Sequence, residues 1–180
     1  MKLEIAHAVS EDASGLSHLA SLAFPLACPP TTSQADIEAH LANKLGTKQF
    51  ESFITDENNV VLVARYESVI IGFALLVFRQ TNRDEILVNL SAELNTAELS
   101  KFYVHPDHHG TGLAQTLMTE CLQLCQERGW GGVWLNVNQL NERANRFYAK
   151  FGFAVVGECE FSLGQNVEQD YIRQLVFDRQ

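Results

Sequence analysis

Val104-His105-Pro106-Asp107-His108-His109-Gly110-Thr111-Gly112-Leu113-Ala114 is the stretch on which the reading of this chain turns. An apolar run stops at a proline, two glycines follow with one residue between them, and a long amphipathic segment begins. The pattern predicts a strand, a tight turn and a helix. Glycine lets the backbone pass close to a ligand, and successive amides in such a turn can point outward together. The helix mouth adds roughly half a positive charge. These features predict an anion site suited to a pyrophosphate. The turn is not a P-loop, because no Gly-Lys-Ser/Thr follows, and it lacks the full Gly-x-Gly-x-x-Gly of dinucleotide binders. Taken by itself, an ordinary strand-to-helix turn would also account for it.

Outward from this turn, the helix is predicted over 111–128. Leu113, Leu117, Cys121 and Leu124 lie on one side, helped by Ala114, Met118 and Cys125, and Gly129 stands where a helix C-terminus wants it. Upstream, a strand over 94–104 is stopped by Pro106. Before it comes a polar loop at 80–85. The apolar runs 60–65 and 69–78 flank the polar step 66–68 and read as an antiparallel hairpin. The N-terminal part reads as a strand over 3–8 and a helix over 11–24, with Leu16, Leu19, Ala20 and Ala23 on one face and Ser10 as its N-cap. A loop at 28–33 and a second helix over 34–44 follow. Downstream come a strand at 133–137, a helix at 141–151 ending at Gly152, and closing strands at 153–161 and 171–177. This order predicts an α/β (α+β) architecture with helices packed on a sheet, and residues 1–180 as one domain.

Composition excludes several classes. The chain has 180 residues, 46% of them hydrophobic and 19% charged, enough for a core without disulfides or metal and too apolar for a disordered chain. The formal net charge of −9 argues against a nucleic-acid partner and is compatible with a cationic substrate. No run of about 18 apolar residues predicts a membrane span. The first residues, Met1-Lys2-Leu3-Glu4-Ile5, do not read as a secretory signal. Cys28, Cys121, Cys125 and Cys159 are too sparse for a disulfide framework; free thiols in a reducing cytoplasm are expected. His105, Asp107, His108 and His109 invite a metal reading, but residues this close cannot all turn to one centre without distorting the turn. No Gly-x-Ser-x-Gly elbow is present to support serine hydrolysis.

His109-Gly110-Thr111-Gly112-Leu113-Ala114 resembles the Arg/Gln-x-x-Gly-x-Gly/Ala signature of the GNAT superfamily of N-acetyltransferases, matching at Gly112 and Ala114 with histidine at the first position. A second block some 30 residues on, Asn141-Glu142-Arg143-Ala144-Asn145-Arg146-Phe147-Tyr148-Ala149-Lys150-Phe151-Gly152-Phe153, is similar to that family's Asn-x-x-Ala-x-x-x-Tyr-x-x-x-Gly-Phe. The ending Tyr103-Val104-His105-Pro106 matches too. The resemblance implies the GNAT fold: a mixed, mostly antiparallel sheet of six to seven strands, helices on both faces, and a V-shaped splay between the fourth and fifth strands. It implies acetyl-CoA as cosubstrate, no metal, and a small-molecule amine as acceptor. The pantetheine arm would lie in the splay along the amides of Phe102, Tyr103 and Val104. The diphosphate would sit on His109, Gly110, Thr111, Gly112, Leu113 and Ala114, and Asn136 and Asn141 would complete the coenzyme site. Asn141 is equally a candidate N-cap for its helix.

The chemistry sets further demands. A lysine-like amine of pKa about 10.4 must be neutral to attack, which costs roughly 4.6 kcal/mol at pH 7. The resemblance places a glutamate in the strand before the turn, at Glu98, as general base; a surface acid at the start of the strand is the alternative. Plain strand alternation puts Glu98, Ser100, Phe102 and Val104 on one face. Tyr148 matches the tyrosine that protonates the departing thiolate, and its alternative is a core aromatic. A phenol and a thiol differ by about 1.5 pKa units, so a full transfer is uphill by about 2 kcal/mol and hydrogen bonding to the developing thiolate is the main contribution expected. His109 or His108, when protonated, is expected to touch a coenzyme phosphate unless both are solvent-facing loop residues.

The segment from Phe161 to Ile172 is similar to the bacterial PaiA-like polyamine acetyltransferases, a subgroup with a Phe-x-x-Gly…Gln-x-Asp-x pattern before the last strand, and residues 24–53 resemble that subgroup's paired N-terminal helices more loosely. A spermidine- or spermine-like acceptor is therefore expected, with Glu38, Glu51 and Asp56 as unplaced acidic candidates. Another small amine, a protein or peptide N-terminus, and a non-catalytic acyl-coenzyme A-binding regulator stand as rivals. Pairing of two copies through the last strands is implied by the family.

Overall fold

The computed structural model describes residues 3–91 and 94–178. Strand β1 (Leu3–His7) leads to a 3-10 turn at Ser10–Asp12 and then to helix α1 (Ala13–Ala23). Ser10 does not cap this helix. Instead the Asp12 carboxylate accepts the Val9 N–H at 2.8 Å, so the acid closes the turn and the helix starts one turn later. α1 buries Ala13, Leu16, Leu19, Ala20 and Ala23 on the face its spacing predicts. Helix α2 (Gln34–Lys44) starts where Ser33 Oγ accepts the Asp36 N–H at 3.1 Å. Helix α3 (Thr47–Thr55) fixes Phe50 edge-on against Phe53 and Phe73.

Strands β2 (Asn59–Tyr66) and β3 (Val69–Val77) form the expected hairpin. Glu67 and Ser68 both take positive φ (50° and 69°), as a two-residue turn matched to strand twist requires. A short helix α4 (Asp84–Leu87) overlaps the predicted loop, and β4 (Thr96–Val104) follows. Then come helix α5 (Leu113–Glu127), β5 (Gly132–Asn138), helix α6 (Glu142–Lys150), β6 (Ala154–Leu163) and β7 (Asn166–Val176). The last two strands are longer than the sequence predicts. Gly164 adopts φ 61° and lets the chain reverse within two residues, so residues 166–170 are strand rather than loop. That correction carries Glu168 and Asp170 onto the sheet.

The seven strands run in the order β1-β2-β3-β4-β5-β7-β6. Every neighbouring pair is antiparallel except β4 and β5, which are parallel. Those two pair only at Thr96–Gly132, Ala97–Val133 and Glu98–Trp134, and beyond Glu98 they part. The splay between the fourth and fifth strands is thus present. α1 and α3 cover one face of the sheet, where Leu16, Phe50 and Phe73 pack. α5 and α6 cover the other, where Leu117, Met118, Cys121, Cys125, Tyr148 and Phe153 pack around Leu99 and Leu135. Burying each such large apolar side chain contributes roughly 1.5–3 kcal/mol. Cys121 and Cys125 are part of this core, and burial pushes the Cys125 thiol up to about 12.

A β-bulge interrupts β4. Leu76 of β3 lies opposite Leu99, while Leu75 lies opposite Lys101, so Ser100 is the extra residue. The bulge overturns the alternation read from the sequence. Glu98 shares its face with Lys101 and Tyr103, beside Val77, Leu75 and Phe73 of β3; Leu99, Phe102 and Val104 look toward α5 and α6.

Candidate active site

The turn after β4 has the geometry that its glycines imply. Gly110 and Gly112 take φ 77° and 89°, and Gly112 is the residue from which α5 starts. A Cβ at either would meet nothing within 4 Å, so it is the left-handed backbone and not crowding that calls for glycine. The first N–H groups of α5 have no intrahelical acceptor and open into the same space. The Thr111 hydroxyl turns back to donate to the His108 carbonyl at 2.8 Å, and the Leu113 side chain is buried beneath the turn. Their side chains hold the turn and the core, which leaves their main chain, the part expected to meet the diphosphate, for a ligand.

His109, beside this turn, has two contacts within the chain. Its Nε2 lies 3.2 Å from the Val104 carbonyl, and its Nδ1 lies 2.8 Å from Nη1 of Arg143. Burial, and then the Arg143 charge, lower its pKa. A neutral ring that donates from Nε2 to Val104 and accepts at Nδ1 from Arg143 satisfies both contacts. The ring therefore holds a guanidinium from α6 beside the turn. His108 lines the cleft and packs edge-on against His105, with centroids 5.9 Å apart.

A cleft of about 650 Å³ runs from this turn through the splay. Past Glu98, the side of β4 facing β5 has no strand partner, so its main-chain groups border the cleft. Phe102 stacks on Phe147 of α6 with centroids 5.6 Å apart. Asn141 caps α6, its Oδ1 accepting the Ala144 N–H at 3.1 Å, and its amide NH2 stays available. Asn145 ties the same helix to β5 by donating to the Asn138 carbonyl at 2.9 Å and accepting from Arg173 of β7 at 3.0 Å. This bracing sets Tyr148, which is buried between Phe147 and Phe153 and lines the cleft. Burial, and then the neighbouring Cys121, raise its phenol pKa, so the group stays protonated throughout the neutral range.

The far end of the cleft lies on the α1 face of the sheet. Glu98 lines it, with its carboxyl pushed up by burial while Lys101 and Arg83 pull the other way. Glu98 and Ser100 also line a second, polar cavity of about 730 Å³ with Asp56, Arg79 and Asn82. Lys101 sits 4.7 Å from the centroid of the Phe53 ring, and burial lowers its ammonium pKa. His40 stacks on Phe24 at 4.5 Å; burial, then Lys101 and Lys44, hold its imidazole toward the neutral form. From the last hairpin come Glu168 and Asp170, and Asn136 Nδ2 donates to Asp170 Oδ2 at 2.6 Å.

Glu98, Phe102, Tyr103, Val104, His109, Gly110, Gly112, Ala114, Asn136, Asn141 and Tyr148 all line this one cleft. Glu38, Glu51 and Asp56 do not; Glu38 and Glu51 are exposed, and Asp56 lines the second cavity. The acids of the cleft are Glu98, Glu168 and Asp170. Sequence reasoning missed Arg143, Lys101, His40 and both hairpin acids as site residues. Only the likeness of the segment from Phe161 to Ile172 to a known subgroup pointed toward the hairpin.

A parallel strand pair that parts beside a glycine turn and helix mouth, with a buried tyrosine alongside, is the arrangement that the resemblance to the GNAT N-acetyltransferases implies. Comparison with known proteins agrees. Residues 23–153 match the model of the acetyltransferase (GNAT) family. An uncharacterized N-acetyltransferase of Mycobacterium tuberculosis is 40% identical over 167 residues, covering 92% of this chain and 99% of that protein. Among solved structures, PaiA N-acetyltransferase from Thermoplasma acidophilum in complex with coenzyme A shares the fold at a TM-score of 0.79 and 23% identity, over 98% of this chain and 100% of that one. The ribosomal-protein-S18-alanine N-acetyltransferase from Escherichia coli shares it at 0.70 and 18%, over 99% and 96%. The chain belongs to the GNAT family and is an acetyltransferase that uses acetyl-CoA as cosubstrate.

Proposed function

We infer that the chain transfers the acetyl group to a primary amine by direct attack within a ternary complex. The observation that carries this reading is the meeting, in one cleft, of Tyr148 from the α6 face and Glu98 from the α1 face at the point where β4 and β5 part. The diphosphate lies on the Gly110–Gly112 turn with Arg143, placed by His109, as its side-chain cation. Main-chain amides of β4 past the bulge hold the pantetheine and polarise the thioester carbonyl. Glu98 takes a proton from the incoming ammonium, and a carboxyl raised by burial suits that task near neutral pH. The polar cavity behind Glu98 gives that proton a way to solvent. The neutral amine attacks, and the tetrahedral intermediate expels the thiolate. Tyr148, held protonated, donates a hydrogen bond to the sulfur, which ends as the thiol with the second amine proton. The net products are amide, thiol and one released proton.

For the acceptor, a polyamine is supported by the net charge of −9, by the acids Glu98, Glu168 and Asp170 in the cleft, and by the likeness of the last hairpin to PaiA-like enzymes. Lys44, Lys101 and Arg83 line the same end and favour a second reading, an amine whose own carboxylate answers these cations, such as an amino acid or peptide. Thiol release from acetyl-CoA with spermidine, small amines, amino acids and short peptides tests both. Coenzyme binding with no amine-dependent thiol release would overturn the transfer itself.

A further inference from the structure

Four buried side-chain atoms among the described residues have no hydrogen-bond partner: Thr32 Oγ1, Asn59 Oδ1, Trp134 Nε1 and Asp170 Oδ1. Of these residues, Asp170 alone lines the main cleft. Its side chain is 5% exposed, and its other oxygen is fixed by Asn136 at 2.6 Å. An unpaired oxygen on a buried carboxylate is costly, and a residue held this way calls for a donor from outside the chain.

Register places that oxygen on the sheet face that Glu98 occupies, with Asp170 four residues along β7 from Gln174, the residue opposite Trp134. Glu98 of β4 lies beside Trp134 of β5 at the last pair before the splay. Asn136 stands two residues further along β5 on the same face, a rise of about 7 Å. Asp170 of β7 lies opposite Asn138 and meets Asn136 across the pair. Glu98, Asn136 and Asp170 therefore share the α1 face, on the side of the splay away from Tyr148. We propose that Asp170, oriented by Asn136, is the residue that docks the acceptor's reacting amine as an ammonium ion and presents it to Glu98. This rests on the transfer reading above and adds to it a specificity-determining residue.

The groups facing Asp170 come from four elements. Asn136 reaches it from β5; Cys159 lies opposite it on β6; Glu168 neighbours it on β7; and Arg83 approaches from the segment before α4. Burial raises the Asp170 carboxyl pKa, the Asn136 hydrogen bond opposes that, Glu168 adds to it, and Arg83 opposes it. Docking needs the ionised form, so affinity for the amine falls as pH drops through a value above the ordinary aspartate range. An ammonium group in place favours the ionised form in turn.

The test compares wild type with Asp170→Asn and Asp170→Glu, using spermidine as acceptor and 1-butylamine against 1-butanol as charged and uncharged probes. Expected for Asp170→Asn is a KM for spermidine at least tenfold higher, an acetyl-CoA Kd within twofold of wild type, and loss of one acidic limb from the pH profile of kcat/KM. Asp170→Glu should recover part of the loss. A spermidine KM within twofold of wild type with the limb intact, or an equal loss of coenzyme and amine affinity, overturns the proposal. If wild type binds acetyl-CoA yet releases no thiol with any amine, the transfer reading fails separately. Docking is then read as thermal stabilisation of the coenzyme A complex by 1-butylamine over 1-butanol. Stabilisation seen in wild type and abolished in Asp170→Asn supports the proposal; equal shifts in both, or none in either, overturn it. Should Asp170→Asn fail to fold, the same comparison is made with Asn136→Ala, which frees the carboxylate from its orienting amide and should raise the spermidine KM; an unmoved spermidine KM overturns the proposal.

Discussion

At the turn end of the cleft, the groups that face a ligand are main-chain amides carried by a few consecutive residues around Gly110 and Gly112, with one guanidinium, Arg143, brought over from α6. At the far end they are side chains that meet from separate elements: His40 from α2, Glu98 and Lys101 from β4, Asp170 from β7. The first end is built by local backbone conformation, which a short run of residues determines. The second is built by tertiary register, which depends on a bulge, a hairpin turn and the order of seven strands. A ligand with the same diphosphate in every turnover suits the first kind of construction. An acceptor whose chemistry differs from enzyme to enzyme suits the second, because single side chains there can change without disturbing the turn.

Substitutions at the two ends should therefore separate cleanly in kinetics. The largest effect is expected where the ends meet. Tyr148→Phe should lower kcat by about 10²–10³-fold. Isothermal titration should find its acetyl-CoA affinity within about twofold of wild type, since the ring packing is kept. Glu98→Gln should lower kcat/KM for the amine by roughly 10²-fold. It should also remove an acidic limb from the pH profile. That limb lies above the ordinary glutamate range because burial raises the Glu98 carboxyl, and activity is lost as pH falls through it. A profile unchanged in Glu98→Gln would take the base role from this residue.

At the turn, Gly112→Ala forces a side chain onto a left-handed backbone, at a cost of about 1–2 kcal/mol. It should raise the acetyl-CoA KM by about tenfold, with kcat for bound substrates little changed. The smallest effect is expected of Arg143→Ala, an exposed cation: about three- to fivefold weaker coenzyme binding, and a shallower salt dependence. Coenzyme affinity should not rise on acidification below the ordinary histidine range in wild type, because burial and Arg143 lower the His109 pKa and its protonation at Nδ1 removes the acceptor that holds Arg143. A rise that disappears in His109→Ala would restore a direct phosphate contact and break the division between the two ends.

The same division explains what was legible in the sequence. Positive φ at Gly110 and Gly112, the cap at Asn141 and the apolar stripe of α5 are local facts, and local spacing reveals them. The placement of Tyr148 follows from α6, the helix that Asn141 caps. Helix α3 was missed although Phe50, Phe53 and Ile54 stand at helical spacing; it is only nine residues long and has no side-chain cap to mark its start. The faces of β4 were misread because alternation presumes one residue per pleat, and nothing in Leu99-Ser100-Lys101 announces an extra one. Glu168 and Asp170 went unplaced for a similar reason: Gly164 tightens the last turn and draws a stretch that reads as loop into the sheet. Neither the Arg143–His109 contact nor the Asn136–Asp170 contact joins residues near in sequence; each spans 34 positions.

Ser100 makes β4 a strand with two phases. Its first residues keep step with Trp134 and present an acid toward α1, while the rest, shifted by a single place, turn Phe102 and Val104 to the opposite helices. Removing Ser100 would bring the strand back into one phase. Either Glu98 or the Phe102–Val104 segment would then have to rotate by half a turn, and the acid and the coenzyme-facing backbone could no longer serve the same thioester. Under the proposed mechanism, one supernumerary residue is thus the timing mark that lets a single strand address two substrates on two sides of a sheet.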